Sequence, residues 1–390
     1  MISNRPIITL AAFISLAING LTFSFIGASL PEIQDYIGIT IDQAGLMMAC
    51  LQSGFTLFCF VGGILSDLKR GEQIMFSGCF LLGIGLSLFC NVPGFAINMI
   101  LIFITGAGMG CILSGSNTLL AKLYPTTKGT ILNLHHVFFG LGSLVGPVIM
   151  SFMIEHNKEW RSAYFTEAII LAGLCVVFLL SRTAMPHFAS GVLFKGQIKR
   201  LFTNNHFLII LFVITLAVGA QLAILLLGVT FLVQAKDCSL TLAGAALSSF
   251  AIFLMTGRVI CSKLTQSTPL ATIVLALLWL QVITLILAWY GERWMAVAAL
   301  SLSGLTFSGI YPTCLALVST FFPKVEGVAL GSLSTVGGLG SIMFCWVIGQ
   351  IAGVADMKAG FLTLVIASLL AMTAFQMSYR SLVSRESQKK

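Results

Sequence analysis

Within the apolar stretches of this 390-residue sequence, few side chains can exchange a proton or hold a polar solute, so they are quickly named. Glu167 is the one acid well inside an apolar stretch, three residues past Tyr164. A carboxyl group that is buried and hydrated in turn can take up and release a proton, which makes it a candidate for ion coupling. The competing reading is a glutamate that reaches an interface or pairs with Arg161. His135 and His136 are consecutive and point about 100° apart on a helix, so at most one faces a given cavity. His135 is the candidate for solute binding and for a proton shuttle, against the plainer role of a hydrogen-bonded structural histidine. Asn19, Asn117, Asn133, Gln221, Gln281 and Tyr311 complete the candidate solute-binding set. Asn117 lies three residues past Ser114 and shares its face. Amides and hydroxyls at that spacing offer both donors and acceptors, as a multiply hydroxylated solute requires, and equally can join one helix to its neighbour.

Other chemistries lack their residues. There is no HExxH, no GxSxG and no glycine-rich phosphate loop, so neither an enzyme nor a nucleotide-driven pump is expected. Nine of the ten cysteines fall in or beside apolar runs, and only Cys238 is placed in a loop; without CxxC or Cys/His spacing they read as small hydrophobes, with no metal and no cofactor expected. The net charge of +8 comes from bases at helix ends, not from a patch interleaved with aromatics, so nucleic acid is not an expected partner.

The elements that carry these residues follow from composition. With 58% hydrophobic and only 9% charged residues, the chain holds far more apolar surface than a water-soluble fold can hide. Mean hydropathy is +1.02. Apolar runs of about 20 residues without strand-like alternation predict membrane helices. They fall at 8–29, 43–66, 74–91, 95–121, 128–153, 163–181, 206–233, 240–262, 270–289, 295–320, 327–352 and 359–379. The first is too long for a signal-peptide core and reads as a retained helix. The polar stretch 182–205 reads as a linker between an N-terminal six-helix bundle, 1–181, and a C-terminal one, 206–390. Sixteen Lys and Arg on one side against five on the other predict both termini in the cytoplasm.

The halves also repeat. Pro125, Gly129, Gly140, Gly142 and Ser143 recur as Pro323, Gly327, Gly338, Gly340 and Ser341, always 198 residues on, and Gly62 is echoed by Gly257. The expected fold is therefore an all-α membrane protein, with twelve transmembrane helices in two six-helix bundles related by pseudo-two-fold symmetry.

That plan resembles the major facilitator superfamily. After the second helix, GGILSDLKRG at 62–71 is similar to the family's loop signature: it keeps Gly63, Leu65 and Asp67, has Leu68 where an arginine is usual, and scrambles the remaining positions. The resemblance implies a gating role for Asp67, Lys69 and Arg70, with Arg258 in the matching position of the second half. The alternatives are a loop cap for Asp67 and lipid headgroup contacts for Arg258. The runs NLHHVFFGLGSLVGP (133–147), WRSAYF (160–165) and GLTFSGIYPTCLAL (304–317) resemble the fucose/galactose/glucose-type branch. This implies ion-coupled symport of a small polar solute, a sugar, by alternating access around a site built from helices one, four, five, seven, ten and eleven. The implied partners are that solute, a coupling ion (H+ or Na+) and the lipid bilayer, for a monomer in a bacterial inner membrane. A proton-coupled exporter of drugs, metabolites or siderophores stays open through Gly142-x-x-x-Gly146-Pro147, although the uncharged stretch 95–120 argues against it. An organic-anion carrier is disfavoured by the shortage of intramembrane cations.

Overall fold

The computed structural model describes residues 5–68, 70–92, 94–124, 128–181, 195–322 and 326–387. Within them the chain forms α1 (Arg5–Ile37), α2 (Ile41–Leu68), α3 (Gly71–Leu88), α4 (Phe95–Leu123), α5 (Lys128–Glu155), α6 (Arg161–Leu180) and a short α7 (Lys195–Phe202). The second half continues with α8 (Asn205–Lys236), α9 (Leu240–Leu264), α10 (Leu270–Tyr290), α11 (Arg293–Ser308), α12 (Ile310–Phe321), α13 (Glu326–Val354) and α14 (Met357–Ser387). Counting α11 and α12 as one span, twelve of these segments are long and apolar enough to cross a bilayer. The protein is a multi-pass membrane protein.

Boundaries are set by local chemistry. The Asn204 side chain accepts from the amides of His206 and Phe207 and starts α8; Ser239 accepts from Leu242 and starts α9. Asp237 in the left-handed region (φ 50°) ends α8. The expected single helix 295–320 is interrupted at Gly309, because Pro312 has no amide to offer the Ser308 carbonyl and its ring crowds it. By contrast α1 runs unbroken through Pro31, and α14 extends eight residues past the expected end at 379.

The chain divides into two compact units, Met1–Ser190 and Gly191–Lys390. Each is packed in the same way. In the first unit α2 and α3 lie against α4, α1 against α5 and α6 against α3; in the second, α9 and α10 lie against α11, α8 against α13 and α14 against α10. Glycine contacts fix the register of this repetition. A Cβ on Gly142 would land on the Ala17 carbonyl, and one on Gly340 on the Thr215 carbonyl, both partners being 198 residues apart like the glycines themselves. In the second pair of seams Gly110 meets the Phe55 carbonyl and Gly304 the Phe250 carbonyl. Gly62 and Gly257 both face a serine hydroxyl, Ser114 and Ser308. Small residues here let helix backbones touch, which is how membrane helices associate without a hydrophobic driving force between them. Large apolar side chains such as Phe60 on α2, Leu180 on α6 and Leu370 on α14 point outward, as a lipid solvent permits.

Candidate functional site

In the first unit Asn19 lies on α1, and Glu167 and His135 meet α1 from α6 and α5. Asn19 is buried and its Nδ2 donates to the Met109 carbonyl of α4 at 2.9 Å, while its Oδ1 has no partner among the described residues. One turn on, the Thr22 hydroxyl donates to Glu167 Oε2 of α6 at 3.1 Å. Glu167 is 3% exposed, its Oε1 has no hydrogen-bond partner among the described residues, and no described Lys or Arg pairs with it. Arg161 is engaged elsewhere, holding Glu159 through two hydrogen bonds of 2.7 and 3.0 Å. Those bonds keep the exposed Glu159 carboxyl below the usual carboxylate range. Burying a carboxylate without a cation beside it is costly.

His135 lies on the α1/α5 seam. It is fully buried, with Nε2 3.3 Å from the Ala12 carbonyl and Nδ1 without a partner among the described residues, and its ring packs on Phe13. His136 is exposed on the neighbouring face. Asn117 on α4 is half-buried, with Oδ1 unpartnered among the described residues. Asn133 is within α5, but its side chain lies outside the described residues.

In the second unit Gln221 on α8 and Tyr311 at the start of α12 are half-buried, and the Tyr311 hydroxyl is 2.7 Å from Ser334 Oγ of α13. Gln281 lies on α10. It is fully buried between α10 and α14, donating from Nε2 to Ser368 Oγ at 2.7 Å. Of the expected gating residues, two are described with their side chains. The Asp67 side chain and all of Lys69 lie outside the described residues; Arg70 is exposed and 3.7 Å from Glu72; Arg258 is exposed on α9. Glu167 is not the one acid within a span: α3 begins at Gly71, earlier than the expected 74, and encloses Glu72, which is 2% exposed.

Reading the sequence overlooked Thr22, the one donor to Glu167 among the described residues. A threonine in a membrane helix can bond its own backbone four residues back, so its type carries no signal; only its partner across the seam reveals it. The Gly142-x-x-x-Gly146 pattern has a packing explanation, because Gly142 meets Ala17 and Gly146 meets Ser24, both on α1.

The chain as a whole is similar to known proteins. The chain is 24% identical over 358 residues to a "Protein TsgA homolog" of Buchnera aphidicola subsp. Baizongia pistaciae, covering 90% of this chain and 89% of that one. It is 27% identical over 137 residues to the L-fucose-proton symporter of Escherichia coli strain K12, covering 34% of this chain and 31% of that protein. The crystal structure of a D-xylose-proton symporter has the same fold, with a TM-score of 0.78 at 15% identity over 98% of each chain. Residues 12–344 match the Major Facilitator Superfamily, with which the duplicated helix packing agrees, and the chain belongs to that family of membrane transporters.

Proposed function

We propose that this transporter imports a small polar solute, a sugar, together with a proton by alternating access, with both termini in the cytoplasm of a bacterial cell and the membrane being the inner one. The observation that carries the reading is Glu167: a buried carboxyl held by one hydroxyl, with no cation beside it among the described residues. A proton from water neutralises such a group, and release of that proton on the other side couples its movement to the solute. The named activities of two similar proteins, symport of fucose or xylose with a proton, support the same class of solute and ion.

Asn117, Gln221 and Tyr311 keep part of their surface open and supply an amide oxygen, a second amide and a phenol for a hydroxylated ligand. Asn19 and His135 hold acceptors without a partner among the described residues, nearer the helix seams, and Asn133 is kept in the set from its place on α5. Gln281, bonded to Ser368, serves the packing of α10 on α14. Arg70 and Arg258, with Asp67 and Lys69, remain the proposed gating set. The chain is proposed to work as a monomer.

Uptake of labelled hexoses, pentoses and 6-deoxyhexoses into proteoliposomes, with and without an inward proton gradient, tests this. Accumulation of one of them under the gradient is the expected result. Expulsion of hydrophobic dyes with no sugar uptake would replace the reading with export.

A further inference from the structure

Three polar contacts join α1 to α6, and together they form a ladder. On α1 the rungs are Thr22, Ser29 and Tyr36, seven residues apart and so on nearly one face of the helix. On α6 they are Glu167, Tyr164 and Arg161, three residues apart. Thr22 Oγ1 donates to Glu167 Oε2 at 3.1 Å, Ser29 Oγ and the Tyr164 hydroxyl are 2.7 Å apart, and Arg161 donates to the Tyr36 hydroxyl at 2.5 Å. The first two rungs are fully buried, whereas Tyr36 is 54% exposed and carries the Arg161 guanidinium over its ring at 4.6 Å. Trp160 joins the top of the ladder to its middle by edge contacts with Tyr36 and Tyr164.

The seam is not where α1 is chiefly anchored. Its main packing partner is α5, through the glycine contacts already described, and it touches α6 only lightly. Pro31 falls between the upper two rungs, where the missing amide leaves the Gly27 carbonyl without its helical partner and lets the end of α1 bend.

We infer that the α1/α6 seam is the route by which the coupling proton reaches Glu167 from the non-cytoplasmic side, with the Ser29–Tyr164 hydroxyl pair as its gate. This rests on the reading of Glu167 as the proton-coupling residue. When the end of α1 bends at Pro31 and parts the Tyr36–Arg161 rung, water reaches the hydroxyl pair. A hydronium then gives its proton to Glu167, leaving water behind, with no other bond made or broken. Ser29 and Tyr164 act as positioning residues: they order the path and do not themselves hold the solute.

The test compares Tyr164→Phe, Ser29→Ala and Glu167→Gln in proteoliposomes, measuring gradient-driven sugar accumulation and sugar counterflow, which needs no net proton movement. Removing either hydroxyl should slow driven accumulation about tenfold, the scale of one buried hydrogen bond, and leave counterflow at the wild-type rate. Unchanged driven accumulation in both hydroxyl variants, with Glu167→Gln inactive in it, would overturn the route while leaving Glu167 in place. Equal loss of accumulation and counterflow would also overturn it, because the pair would then be mere packing. If Glu167→Gln itself accumulates sugar normally, the underlying reading falls, and the route with it.

Discussion

Replacing Gly340 with alanine tests the duplicated helix seams through a single methyl group. The new Cβ would fall on the carbonyl of Thr215, with the carbonyl carbon of the same residue and the Gly219 Cα close behind; all are backbone atoms and none can rotate away. The helices must separate instead, and overpacking of this kind costs about 1–3 kcal/mol, here near the upper end. Alanine also favours helix over glycine by about 1 kcal/mol, and a control is needed to remove that gain. Gly331, on the same helix α13, supplies it, since nothing lies within 4 Å of its Cβ position. Gly331→Ala therefore carries the helix gain alone, and the difference between the two variants isolates the seam at about 3 kcal/mol, more than a hundredfold in the folded-to-unfolded ratio. Gly142→Ala should behave like Gly340→Ala, because the Ala17 carbonyl stands where Thr215 does. The assay is equilibrium unfolding in mixed micelles. Equal stability of Gly340→Ala and Gly331→Ala would refute the backbone contact, and a harmless Gly142→Ala beside a damaging Gly340→Ala would refute the shared register.

Single contacts lead to two further expectations. The Glu386 carboxylate, near the end of α14, accepts from the Leu270 and Ala271 amides at 2.9 and 3.3 Å and caps α10, so Glu386→Ala should destabilise the protein by about 1–2 kcal/mol in thermal melts; no change would dismiss the cap. Glu159 has its carboxyl lowered from 4.5 by Arg161, so its contribution is fully present above pH 4.5 and is lost as pH falls through the depressed value. The stability gap between wild type and Glu159→Gln should be flat from neutrality down to that point, close only in stronger acid, and stay well below about 1 kcal/mol because the pair is exposed. A gap that changes between pH 7 and 5 would contradict the assignment.

Hydropathy and glycine spacing are enough to make the architecture legible. The twelve spans and the register of the repeat need only one-dimensional information: apolar length, and the recurrence of residues such as Gly142 and Gly340 that two touching backbones demand. The break at Gly309 is less visible, since Pro312 is tolerated in many membrane helices and α1 passes Pro31 without a break. The polar sites are legible as residue types only. Gln281 and Gln221 look alike in sequence, yet one is bonded inside a helix pair and the other keeps an open side, a distinction set by azimuth and by the neighbouring helix. Ser29 gives no signal, because its hydroxyl also bonds the Phe25 carbonyl of its own helix and serine is inexpensive there. Its heptad relation to Thr22 and Tyr36 acquires meaning only once α6 is seen alongside.

Proton movement driven by the solute itself tests the account most directly. In proteoliposomes without an imposed gradient, adding a transported sugar outside should raise the external pH as protons enter with it, and Glu167→Gln should bind the sugar without that alkalinisation. A sugar that enters wild-type vesicles with no pH change, or the same alkalinisation in Glu167→Gln, would contradict it.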